Sequence, residues 1–118
     1  MSLKQFYDSI SGNYEDAIER MTDEKFIQKY VIKFSGFDEF YAMKNAIQSD
    51  DWTEAFRNCH SLKGMVGNLG FVKLFKITSE LCDILRPCVS PCVDIDSLVT
   101  KTEELLNEIK LNKSLIEQ

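Results

Sequence analysis

WTEAFRNCHSLKGMVGNLG, residues 52–70, is the stretch whose reading decides this chain. Asp51 stands just before it with Glu54 three residues on, a pattern that caps a helix N-terminus. Gly70 closes it, a residue that readily takes the left-handed conformation ending a helix. At about 100° per residue, Ala55, Leu62, Val66 and Leu69 share one face, with Cys59 and Met65 at its edges. That face is the buried stripe of an amphipathic helix. The chain's single histidine, His60, lies on the opposite side. Thr53, Phe56, Arg57, Lys63, Gly64 and Gly67 lie there too, and Phe71 joins them if the helix runs that far.

Working outward, the helical period recurs and the breakers fall between segments. Ser2-x-x-Gln5 has the form of a capping box and opens a short helix that stops before Gly12. Asn13 caps a second, carrying Tyr14, Ala17, Ile18 and Met21. A third follows Thr22-Asp23 and runs toward Gly36 with Phe26, Ile27, Tyr30, Val31 and Phe34. Asp38 starts a fourth, with Phe40, Tyr41, Met43, Ala46 and Ile47. Beyond Gly70 comes a strongly apolar helix, Phe71 to Arg86, ended by the proline-containing loop PCVSPCV at 87–93. Asp94 or Asp96 caps the last helix, whose inner stripe is Leu98, Val99, Leu105, Leu106 and Ile109. No segment alternates like a strand between turn signals. The expectation is one all-α domain over 1–118, an up-and-down antiparallel bundle with short connections. Residues 1–12 form an N-terminal helical extension, 13–111 the core bundle and 112–118 a fraying tail.

Composition narrows the partners. The 14 basic and 19 acidic residues give a net charge of -5, which argues against nucleic acid. No apolar run approaches the roughly 18 residues of a membrane span. The start, MSLKQFYDSI, lacks the basic and then apolar order of a signal peptide, so a cytoplasmic protein is expected. A monomer is expected too, since the core needs no second chain. The four cysteines, Cys59, Cys82, Cys88 and Cys92, read first as small hydrophobes in a reducing compartment. Cys88-x3-Cys92 has no second matching pair, so a closed zinc site would have to recruit Cys82 or His60.

The outward face of the 52–70 helix carries the chemistry. An exposed imidazole offers a lone pair near neutral pH and can attack phosphorus. Lys63, one turn on, can neutralise charge developing on transferred oxygens. Gly64 and Gly67 each cost a helix about 1 kcal/mol relative to alanine, and their bare backbone would let a second protein approach His60. Arg57 adds a second cation, and Phe56 and Phe71 are aromatics on a face that solvent would fill with polar groups. For Phe71 the alternative is a place beneath a neighbouring helix, the N-terminal one included. The chain has neither a phosphate-cradling glycine loop nor a carboxylate cluster for magnesium, so the phosphoryl donor and its metal must come from elsewhere.

His60-Ser61-Leu62-Lys63-Gly64, followed by Gly67-Asn68-Leu69-Gly70, resembles the signature of the histidine-containing phosphotransfer (HPt) domain of phosphorelays. The D-W-x-x-A-x-x-x-C approach from Asp51 to Cys59 is similar to the family's usual entry, and the likeness extends from about Asn13 to Ile109. It implies a four-helix bundle with accessory N-terminal helices. It implies also that His60 takes a phosphoryl group from a receiver-domain aspartate and passes it to another receiver. Lys63 would sit near the phosphoryl group, Gly64 would leave room for the receiver, and Gly67 matches the family's small residue. The partners would be receiver domains of response regulators, those of a hybrid histidine kinase included, with magnesium on the receiver and no cofactor here. Such a protein is a phosphocarrier, not an enzyme with a nucleotide site. One departure stands out: the following helix has no glutamine to hold the imidazole, and Cys82 occupies the similar spacing, with Ser79 as a substitute. Two other readings stay open, a receiver- or kinase-docking module without phosphotransfer and a metal-binding or thiol-redox bundle using the cysteines.

Overall fold

Side-chain caps set where most of the helices begin. In the computed structural model, which describes residues 1–86 and 95–116, Ser2 Oγ accepts from the Gln5 N–H at 3.1 Å. Gln5 Oε1 returns the bond to the Ser2 N–H at 2.8 Å, completing the capping box. Asn13, Asp23 and Asp51 cap in the same manner, accepting from Asp16, Lys25 and Glu54. The result is seven helices among the described residues and no strand. They are α1 Leu3–Ser9, α2 Tyr14–Met21, α3 Glu24–Lys33, α4 Phe37–Gln48, α5 Trp52–Asn68, α6 Val72–Leu85 and α7 Asp96–Ile116. The chain is all-α, as its periodicity requires.

Two boundaries differ from the sequence reading. α4 begins at Phe37 with Gly36 as its cap, not at Asp38. Gly36 has φ +74°, and a Cβ there would fall 2.8 Å from Phe34 Cζ and 3.0 Å from Leu62 and Leu106 side-chain atoms. Close packing of that turn on α5 and α7 thus selects glycine, and Asp38 serves the first turn by facing the helix dipole. At the other end, α7 stays helical through Ile116, past the boundary at Asn112. Lys113 Nζ donates to the Phe34 carbonyl at 2.7 Å and ties this stretch to the end of α3.

α5 is flanked by α4 and α6, and α7 packs on α6 while also touching α1, α3 and α4. α5 buries Ala55, Cys59, Leu62 and Val66; α6 buries Leu74, Ile77, Thr78, Leu81, Cys82 and Leu85. The buried hydroxyls of Thr78 and Thr102 donate to the carbonyls four residues back, Leu74 and Leu98, so they bring no unsatisfied polar group inside. Leu98 and Leu105, read as inner-stripe residues, are only half-buried.

The first twelve residues are fastened into the same core. Leu3, Phe6, Tyr7 and Ile10 are buried, and the Tyr7 hydroxyl donates to the Leu69 carbonyl at 2.5 Å. Burial, and then the neighbouring Tyr14, raise the Tyr7 pKa well above its ordinary value, so it stays a donor. The Asn13 N–H adds a bond to the Gly70 carbonyl at 2.8 Å. Gly70 has φ +72°, and its α-carbon faces the Asn13 carbonyl so closely that a Cβ would come within 2.7 Å. The α5–α6 turn is therefore both a helix stop and the seat on which α1 and α2 rest.

Candidate functional site

Burial of one face of α5 dictates what the other presents. With Ala55, Cys59, Leu62 and Val66 inside, His60 is exposed at mid-helix. Its ring stacks on Phe56, one turn earlier, with centroids 5.7 Å apart and planes 28° from parallel. The Arg86 guanidinium lies 5.4 Å from the Phe56 centroid, a cation–π contact from the end of α6. Among the described residues no hydrogen bond holds the His60 ring, so the stack with Phe56 is what orients it. Neither substitute for the missing glutamine serves: the Ser79 hydroxyl donates to the Phe75 carbonyl at 2.7 Å, and Cys82 is buried.

Lys63 is half-buried, its Nζ 5.7 Å from the Phe75 centroid, and no described carboxylate pairs with it. Arg57 differs from its sequence reading. Its guanidinium pairs with Glu54, which draws that carboxyl below its usual range, so the face is less basic than its residue types suggest.

The two glycines have different reasons to be glycine. A Cβ on Gly64 would meet nothing within 4 Å, so no contact inside the protein demands its absence. On Gly67 a Cβ would fall 3.0 and 3.1 Å from two carbons of the Phe75 ring, so that aromatic lies across its backbone. Phe71 corrects an expectation. It is 1% exposed and packs among Phe6, Tyr7 and Phe34, with centroids 5.3 to 6.0 Å away, so it presents no ring to a partner. The alternative place beneath the N-terminal helix is where it lies. The helix stops at Asn68 and the turn at Gly70 swings Phe71 inward.

The apolar surface beside His60 instead comes from α6, through the ring of Phe75, 40% exposed, and the aliphatic Val72, 47% exposed. The sequence reading placed both in an apolar helix without separating faces. Leu74, Ile77, Thr78, Leu81, Cys82 and Leu85 form the inner stripe; at about 3.6 residues per turn Val72 falls about 160° from Leu74, whereas Phe75, seven residues before Cys82, projects within about 20° of that buried thiol. The outward place of Val72 was therefore legible in the sequence, and that of Phe75 was not. His60, Lys63, Gly64 and Phe75 line a shallow depression of about 300 Å³, and Asp16 and Arg20 of α2 line it as well.

The thiols lie elsewhere. Cys59 and Cys82 are free, buried, and 3.3 Å apart at sulfur, with the Cys59 thiol also 3.4 Å from the Thr78 carbonyl. The Cys82 contact and burial push the Cys59 thiol up, while the same contact and the charges of Lys63 and Arg86 pull Cys82 down. Cys88 and Cys92 lie outside the described residues. Among the described residues no group of three or more His, Cys, Asp or Glu could hold a metal ion. No described helix is long and apolar enough to cross a membrane.

An exposed imidazole beside an ammonium that no described carboxylate pairs, with open space above Gly64, suits the acceptance of a group from another protein. Comparison with known proteins agrees in kind. No curated protein and no solved structure gives a significant match. The family model of the Hpt domain, however, matches residues 37–112, from the first residue of α4 into α7 and across the whole of α5 and α6. That span is more than half of the chain and contains His60, Lys63 and Gly64: the chain belongs to the Hpt domain family, the histidine phosphotransfer domains of two-component phosphorelays.

Proposed function

We infer that this protein is a phosphorelay intermediate in which His60 accepts a phosphoryl group from a receiver-domain aspartyl phosphate and passes it to the aspartate of another receiver. α4–α7 form its antiparallel four-helix bundle, with α1 and α2 as accessory helices seated on the α5–α6 turn and α3 packed on α2 and α7. The observation that carries the reading is the setting of His60: exposed, stacked on Phe56, with Lys63 one turn on and open space above Gly64.

The solvent-facing imidazole nitrogen, Nε2, brings its lone pair to phosphorus in line with the aspartyl oxygen. A P–N bond forms as the P–O bond breaks, and the carboxylate leaves with the electron pair. Nδ1 keeps its hydrogen throughout. In the second transfer a receiver carboxylate attacks and the imidazole nitrogen recovers its pair. Lys63 faces the oxygens, where charge accumulates. The receiver supplies the acidic magnesium site, so the reacting halves meet only in the complex. Gly64, Phe75 and Val72 form the surface on which it settles, with Phe56 behind the imidazole.

Mixing the protein with a phosphorylated receiver is expected to place acid-labile, base-stable phosphate on His60, and none on a His60→Gln variant. Stable absence of label across several receivers would refute the reading and favour a docking module. Phe56→Ala is expected to slow transfer about three- to tenfold, the range of one aromatic contact, with His60 still labelled at completion. Unchanged kinetics would remove the stack from the mechanism.

A further inference from the structure

The family match begins at residue 37, yet α2, which precedes it, reaches the site. Its attachment is firm: the Asn13 N–H bonds the Gly70 carbonyl, and Ala17 packs against the α-carbon of Gly70. With that end fixed on the α5–α6 turn, side chains from the next turns of α2 reach the depression on the outer face of α5. Asp16 and Arg20 thereby become walls of the depression that holds His60, Lys63 and Gly64. Arg20 Nε donates to Asp16 Oδ2 at 3.0 Å, and the two side chains remain 55% and 36% exposed.

We propose that Arg20 is a second phosphoryl-binding cation, held by Asp16 in the free protein and released to the phosphoryl group once it sits on His60. This rests on the reading of His60 as phosphoacceptor. The chemistry favours the exchange. A phosphoryl group carries up to two negative charges and three acceptor oxygens, against one charge on Asp16. Exposed i,i+4 ion pairs are weak, and a planar guanidinium suits a phosphoryl group better than an ammonium does. The charged neighbours lining the depression are Asp16, Arg20 and Lys63, so two cations bracket the group and one anion competes for the second. Arg57 and Arg86 are engaged elsewhere, with Glu54 and over Phe56.

The test uses phosphoramidate, a small donor that phosphorylates histidine without a receiver, followed by a ³¹P NMR pH titration of the phosphohistidine. A nearby cation favours the dianion and lowers the second phosphoryl pKa. Arg20→Met is therefore expected to raise that pKa by about half a unit, the scale of one exposed charge contact. Asp16→Asn is expected to lower it, and Arg20→Lys to fall between Arg20→Met and the parent. Loosening of α2 would move the Met and Asn variants in the same direction and lower both thermal midpoints. That result, or a titration identical to the parent's, overturns the proposal. If phosphoramidate fails to label His60 in the parent, the phosphoacceptor reading falls and takes this one with it. Labelling with no effect of Arg20 or Asp16 overturns only the role of Arg20.

Discussion

Gly64→Leu is expected to fold at least as well as the parent and to accept phosphoryl groups from a receiver about a hundredfold more slowly, or worse. The two halves of this result have one cause. A Cβ at position 64 enters open space, so the helix gains roughly 1 kcal/mol by losing glycine and meets no clash. The same space is where the proposed receiver must bring its aspartyl phosphate to His60, one turn away. An isobutyl group there holds the partner back, and in-line transfer tolerates little displacement. Stopped-flow or quench measurements of transfer, paired with thermal unfolding, read both halves. Labelling by phosphoramidate should persist, since a small donor passes where a protein cannot. A Gly64→Leu variant that transfers at the parental rate would show that the receiver does not approach over this face. The same rate lost together with stability would point to a packing role that open space denies.

Phe71→Ala is expected to cost about 3–5 kcal/mol of unfolding free energy, read from urea denaturation. That is a large share of the roughly 5–15 kcal/mol a domain has. The ring is sealed among Phe6 and Tyr7 of α1 and Phe34 at the end of α3, so its removal leaves a cavity that these two segments cannot jointly collapse. Phe75→Ala, on a ring 40% exposed, should cost far less stability and act on transfer instead. A small loss for Phe71 and a large one for Phe75 would reverse the assignment of inner and outer aromatic made above.

Much of the fold was legible because helix signals are local. Ser2 with Gln5, Asn13 and Asp51 are caps whose partners lie three residues away, and each behaves as its spacing predicts. Gly36 was missed since its selection comes from Leu62 and Leu106, residues distant in sequence. The site divides in the same way. His60, Lys63 and Gly64 follow from projecting one helix, since a single buried stripe determines what faces away. Phe71 could not be placed by projection, because the chain leaves the helix at Asn68 before reaching it.

The sequence by itself determined the helices, the outward histidine and the lysine one turn on, all consequences of a 3.6-residue period along one segment. Only the tertiary structure decided which aromatics stay outside, and that α2 brings Arg20 and Asp16 to the depression that holds His60. These depend on which surfaces meet once the helices pack. Such meetings join residues tens of positions apart, and no local period records them.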